Sequence, residues 1–377
     1  MKYYKFTDSG DSNLESRAMC KSKSFTNKVI IVNGFNASGK TLFSPIVSSI
    51  DGVELMSFAY EIEWCSSFLY ANKMSKDAYV EFVKMHVDHT IYNQMMSRSV
   101  NFRFTDLSSA MTHKSKWTYL KRLFQDGDNA IPKKIKDENP ILSLTTCHLM
   151  PFIPALSSAL QERLLFIEIV RDPIFMFHQL LILQESVIKG CSEKDFTTRV
   201  KMEGIDATYL EYYSSKEVFD SLSNEESSVT VVSYLERMFD FYFSLELESL
   251  EINNSSFILI PFEKFVLSPK KWIKSIVEFT GNKWSKDIDK EMKRQKVPRE
   301  LLRSGRKLNV YKRFGWEDNK NSKKLTLKEE SIDYRKKMKS LINDEEVYQR
   351  LESVSDKYYQ WIDSVPDFIF LNKSDSN

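Results

Sequence analysis

Lys28-Val-Ile-Ile-Val-Asn-Gly34-Phe-Asn-Ala-Ser-Gly39-Lys40-Thr41 is the stretch on which the fold turns. Lys28–Asn33 is a short β-branched run of the kind that fills a buried parallel strand. Gly34 to Thr41 satisfies G-x-x-x-x-G-K-[ST], and Thr41–Ile50 comes next with helical spacing. Strand, glycine loop and helix in that order form a phosphate-binding loop. The loop amides and the helix N-terminus cradle an anion, Gly39 permits close backbone approach, Lys40 brings a point charge and Thr41 a hydroxyl. Asn36, Ala37, Ser38, Gly39, Lys40 and Thr41 are therefore the first candidate ligand contacts.

Further short apolar runs stand along the chain, separated by helical patterns: Val53–Phe58, Pro140–Thr146, Leu164–Val170 and Phe257–Ile260. Helices are expected through most of 61–123, at Pro151–Leu160, from Ile174 to Lys189, at Trp272–Thr280 with Gly281 as its stop, and as charged amphipathic segments over 324–363. This alternation predicts an α/β protein: a three-layer, parallel sheet of the phosphate-loop type flanked by helices, with a long helical insert and a helical C-terminus. The expected organisation is a flexible lead-in at 1–27, one α/β domain at 28–320 carrying a mostly helical insert at 191–250, and a charged extension at 321–377.

The chain has 54 Lys+Arg and 52 Asp+Glu, a net charge of +2. That balance gives no electrostatic case for nucleic acid as a partner. Cys20, Cys65, Cys147 and Cys191 stand far apart with no CxxC pair, which reads as reduced thiols and not as a zinc site or disulfide frame. The apolar runs are too short to span a bilayer, which takes roughly 18 residues. A cytoplasmic protein without a membrane span is the expectation.

In a parallel sheet, ligands gather at the C-terminal ends of the strands. The third run ends Thr145-Thr-Cys-His148 and the fourth ends Val170-Arg171, so neither supplies the magnesium carboxylate of a nucleoside triphosphatase. Glu168 lies inside its strand, and Glu263, after the fifth, is out of pattern. A donor that needs no metal fits better than ATP·Mg.

These segments resemble the sulfotransferases that use 3′-phosphoadenosine 5′-phosphosulfate. Leu164–Val170 with Arg171-Asp172-Pro173 is similar to that family's 3′-phosphate motif, and Cys147–Pro154 is similar to its Thr-His-Leu-Pro segment. His148 precedes Arg171 by 23 residues, close to the family's spacing. Phe257–Phe265 with Pro269 resembles a late strand-Glu-Pro stretch, Arg303-Ser-Gly305 resembles an Arg-Lys-Gly motif, and Gly315-Trp316 echoes the family's subsequent Gly-Asp-Trp. The resemblance implies that Lys40, Thr41 and the Ala37–Gly39 amides hold the 5′-phosphosulfate. It implies that Arg171, Arg303 and Gly305 attend the 3′-phosphate, with Gln179 where the family has a serine. It implies His148 as general base, in-line sulfuryl transfer to a hydroxyl or amine, and a small-molecule, lipid or saccharide acceptor. Thr146 stands where cytosolic members carry a lysine.

The base is open between His148 and Glu61, the carboxylate just past the second strand; Glu63 is a weaker candidate. His178 reads as a core or edge residue, and His86 and His89 as surface residues. Most of the aromatic stock reads as core, with Trp64, Trp117, Tyr212, Tyr213, Phe239, Phe241, Tyr242 and Phe243 in the segments expected to flank an acceptor cleft. Two other readings stay open: a small-molecule kinase using ATP·Mg, and a nucleotide-binding module without chemistry.

Overall fold

The computed structural model describes residues 20, 21, 23–183, 200–202, 205–207, 226–245, 252, 254–302 and 326–365. Its main sheet is built from β1 (Val29–Gly34), β2 (Ser57–Phe58), β3 (Leu142–Thr145), β4 (Leu164–Val170) and, after the antiparallel pair β5 (Val200–Met202) and β6 (Ile205–Ala207), β7 (Ser256–Pro261). The order is β2-β3-β1-β4-β7 and every pairing is parallel. β1, β3, β4 and β7 are buried along their whole length, as unbroken Val/Ile/Leu runs covered on both faces must be.

The helices are α1 (Lys40–Ser48), α2 (Tyr60–Tyr70), α3 (Lys76–Met95), α4 (Lys116–Arg122), α5 (Ile131–Glu138), α6 (Ile153–Leu160), α7 (Pro173–Leu183), α8 (Ser227–Phe243), α9 (Phe262–Leu267), α10 (Lys270–Thr280), α11 (Lys286–Arg294), α12 (Leu327–Leu341) and α13 (Glu345–Ser364). They form two packed groups. In one, α3 lies against α2, α5 and α6; in the other, α7, α8, α12 and α13 lie against one another. Tyr334, Leu351 and Tyr358 from α12 and α13 belong to the same apolar cluster as Ile31 and Ile167 of the sheet. Among the described residues no helix is long and apolar enough to cross a membrane.

Three expectations need correction. The second strand is shorter than Val53–Phe58. Val53 bridges Ile141, but the ladder then breaks, because the Leu55 amide donates to the Tyr119 hydroxyl (2.7 Å) and its carbonyl accepts from Gln94 (3.1 Å). Within the 191–250 insert, expected to be mostly helical, the described residues form the helix α8 and the short pair β5–β6. Helix α6 starts at Ile153, after a 3-10 turn over Met150–Phe152, because the two prolines Pro151 and Pro154 cannot donate to an α-ladder. Between Met96 and Ser115 the chain carries only a 3-10 turn, Ala110–Thr112, in place of a continuous helix.

One buried ion pair fastens α4 beside β2. Arg122 donates to both oxygens of Glu54, at 2.7 and 2.9 Å, and Tyr119 adds a third bond at 2.8 Å. Removing one partner of such a pair strands a buried charge. Arg122→Ala is expected to lower the unfolding free energy by about 3–5 kcal/mol in urea titration, and Glu54→Leu in the same chain to recover much of that loss.

Candidate functional site

Strand β1 delivers its backbone into the loop at Gly34, whose φ is +151°. Ala37 (φ +70°) and Gly39 (φ +106°) then adopt left-handed conformations, which turn the chain back into α1. A Cβ on Gly39 would lie 2.2 Å from the Phe262 ring, so no larger residue fits. Lys40 is 6% exposed, and its ammonium donates to the carbonyls of Gly34 (2.7 Å) and Phe35 (2.9 Å) and to the Cys147 sulfur (2.9 Å). Asn36 meets the same sulfur at 3.5 Å. The Ser38 hydroxyl is buried at the turn with no hydrogen-bond partner among the described residues. Thr41, half-buried, stands in the first turn of α1.

The structure puts Glu63, not Glu61, against this loop. Two residues apart on α2, they point about 200° apart. Glu61 is half-exposed and faces His86 of α3 at 3.9 Å, so His86 is a half-buried partner of a carboxylate and not a surface residue. Glu63 accepts the Cys147 amide at 2.7 Å. Burial pushes its carboxyl up to about 7, against the opposing pull of that amide and of Lys40. Burial also raises the Cys147 thiol, which Lys40 pulls the other way.

His148 lies just past β3 at φ +60° and is 4% exposed. Its ring packs 5.1 Å from Phe35, and its Nδ1 lies 3.4 Å from the Tyr234 hydroxyl. Burial, with Lys40 adding to it, pushes the imidazole down to about 3. It is therefore neutral near pH 7 and reluctant to take a proton there. Of the two carboxylates on this turn of α2, Glu63 is the one that meets the Cys147 amide, and Glu61 faces His86 instead.

Beneath the loop lies a buried polar floor. Asn33 pairs in register with Glu168 and donates to its Oε2 at 2.6 Å, while Tyr242 of α8 donates to Oε1. Asn33 Oδ1 accepts from Thr146 (2.9 Å) and from the Leu149 amide (3.2 Å). Thr146, off-pattern in the sequence, is thus a strut of this floor. Burial pushes Glu168 up to about 7, opposed by these donors and by Lys40.

Arg171, at the end of β4, reaches the loop from the other side. It donates to the Ala37 carbonyl at 3.0 Å, and its guanidinium lies 4.5 Å over Phe262 and 5.7 Å over Phe175. Its Nε is buried without a hydrogen-bond partner among the described residues. Gln179 is half-buried about two turns along α7 from Pro173. Arg303, Gly305, Gly315 and Trp316 lie outside the described residues, as do Tyr212 and Tyr213. Phe239 and Tyr242 are core, whereas Trp64 and Trp117 are exposed.

Sequence reasoning missed Glu168, Cys147 and the weight of Glu63. One signal for Glu63 was present: Ser66 and Ser67, one turn on, are small and buried, and they open the side of α2 that Glu63 shares.

No protein-family model matches the chain, and no curated protein matches it. Solved structures do. The sulfotransferase domain from the Synechococcus PCC 7002 olefin synthase is 10% identical, with a TM-score of 0.36 over 91% of this chain and 98% of that one. The sulfotransferase domain from the curacin biosynthetic pathway is 9% identical, TM-score 0.35, over 88% and 97%. Retinol dehydratase in complex with androsterone and the inactive cofactor PAP is 12% identical, TM-score 0.32, over 88% and 80%.

Gly39→Ala is expected to disrupt the loop, since the added methyl meets an aromatic ring held by Arg171. Nucleotide-dependent thermal stabilisation should vanish, and the ligand-free protein should lose about 1–3 kcal/mol of stability.

Proposed function

We propose that the chain is a sulfotransferase that moves a sulfuryl group from 3′-phosphoadenosine 5′-phosphosulfate to an acceptor hydroxyl or amine. One observation carries the reading: a second cation, Arg171, is held against the phosphate loop at Ala37 with a buried Nε left to bind. A loop plus a separate guanidinium suits a nucleotide with phosphate groups on both its 5′ and 3′ positions. Fit is supported by Ser38 Oγ and Arg171 Nε, buried polar atoms at this loop that have no hydrogen-bond partner among the described residues.

The donor supplies an activated sulfuryl group and leaves as the bisphosphate. The chain's residues supply the rest. Amides of Ala37 to Thr41 and the α1 N-terminus hold the 5′ end. Lys40 neutralises the charge that grows on the departing oxygen, the electrostatic contribution that dominates such transfers. Arg171 holds the 3′-phosphate as a planar, permanently charged fork. Glu63 accepts the acceptor's proton: burial pushes its carboxyl up to about 7, which makes it a stronger base than an ordinary carboxylate. The Cys147 amide fixes which Glu63 oxygen stays occupied. Neutral His148 packs against Phe35 and shapes the loop from behind.

Donor identity is checked by thermal stabilisation with 3′,5′-bisphosphoadenosine against ATP·Mg at equal concentration. Saturation about 100-fold above Kd adds ~2.7 kcal/mol to the native state. The bisphosphate alone should stabilise, and Arg171→Ala should remove the effect; stabilisation by ATP·Mg alone would assign the loop to a kinase.

The base is checked by pH. Below about 7 Glu63 holds its proton and cannot act, so kcat/KM should rise with pH through a midpoint near 7 and then level off. Glu63→Gln should cut kcat by about 10²–10⁴-fold and remove that limb of the profile, with little change in bisphosphate binding. A profile unchanged in Glu63→Gln assigns the proton transfer elsewhere.

A further inference from the structure

Two buried carboxylates stand behind Arg171 and take no part in the steps above. Asp172 is the next residue in the chain. Glu263 neighbours Phe262, the ring on which the Arg171 guanidinium lies. Glu263 Oε1 accepts the Asp172 amide at 3.1 Å, so it orients the peptide plane that joins Arg171 to Asp172. Its other oxygen accepts the Tyr358 hydroxyl at 2.6 Å. Asp172 accepts Ser355 at 2.8 Å through Oδ1 and Tyr359 at 3.0 Å through Oδ2. Arg335 of α12 donates to Ser355 at 3.0 Å. Three hydroxyls of α13 thus hold the two carboxylates behind Arg171, whose guanidinium reaches the phosphate loop at Ala37.

These bonds are not incidental to packing. Burial, and the Asp172 charge beside it, push Glu263 up to about 7, and the Tyr358 hydroxyl acts against that rise. A buried carboxylate that loses its donor is costly, and it relaxes by protonating or moving. Movement of the carboxyl releases the 171–172 peptide from its side-chain anchor at that amide.

We infer that Tyr358, supported by Tyr359 and Ser355, is a positioning residue for Arg171. The last helix is then part of the donor site, and it sets how well the 3′-phosphate is recognised. The inference rests on the donor reading above. Arginine has many rotamers, and a phosphate contact is strong only when its planar fork is held in place beforehand. Phe262, Phe175 and Ala37 hold the guanidinium end. Glu263 and Tyr358 hold the backbone end.

The test compares two probes on the full chain by calorimetry: 3′,5′-bisphosphoadenosine, and adenosine 5′-phosphate, which lacks the 3′-phosphate. Tyr358→Phe should weaken the bisphosphate about ten-fold and the monophosphate less than about two-fold, the loss of one bond to a charged group. Glu263→Gln should keep the bisphosphate affinity, because its amide still accepts from Asp172 and pairs with Tyr358, while Glu263→Ala should lose it. If Tyr358→Phe lowers thermal stability but leaves the ratio of the two affinities unchanged, its role is structural only and the inference fails. If Arg171→Ala also leaves that ratio unchanged, Arg171 does not read a 3′-phosphate, and the donor reading falls together with the inference.

Discussion

A nearly buried ammonium organises this molecule. Lys40 has two loop carbonyls and a thiol within hydrogen-bond reach, and burying a charge so deeply is favourable only where its surroundings answer it. Its field acts on four titratable groups around the loop. It opposes the burial-driven rise of Glu63, Glu168 and the Cys147 thiol, and it adds to the depression of His148. Burial is the larger cause at both residues; the field opposes it at the glutamate and reinforces it at the histidine. The imidazole, buried next to a cation, is locked neutral; the carboxylate, desolvated beside the same cation, titrates near neutrality.

The rest of the fold holds that cation's surroundings still. The Asn33–Glu168 pair links neighbouring strands at matched register and carries the loop on a hydrogen-bonded base. Tyr242 ties this base to α8, and α8 packs on α13. Helix α13 in turn holds the carboxylates beside Arg171. Residues 345–364, which read from composition as a charged appendage, share the core of the sheet and touch the site through a chain of hydroxyls. One face of this helix is charged, and the opposite face carries Tyr348, Leu351, Val354 and Tyr358, all buried.

The strands were legible because a strand covered on both faces leaves an unmistakable unbroken apolar run. Leu164–Val170 has the bounds read from it, and the loop before α1 was readable from its glycines alone. The short β2 was not, because what ends it is a hydroxyl from Tyr119, 64 residues away. The β5–β6 pair within the insert carries too few residues for a period to show. At the site, Lys40 and Arg171 could be named from motif and position. Whether Glu61 or Glu63 met them could not, since a helix offers both carboxylates and only the placing of α2 against β3 and the loop chooses one.

The sequence by itself determined a parallel α/β sheet, a glycine loop with a lysine between the first strand and the first helix, and an arginine at the end of the neighbouring strand. Those are local facts: periodicity, glycine freedom and the order of segments along the chain suffice for them. Only the tertiary structure decided that burial raises Glu63, Glu168 and Glu263 and lowers His148, that Thr146 belongs to a buried floor and that hydroxyls of the last helix meet Asp172 and Glu263. Each of these depends on desolvation and on charges brought together from segments far apart in the chain. A pKa is a property of the surroundings, and no residue carries its surroundings in its own stretch of sequence.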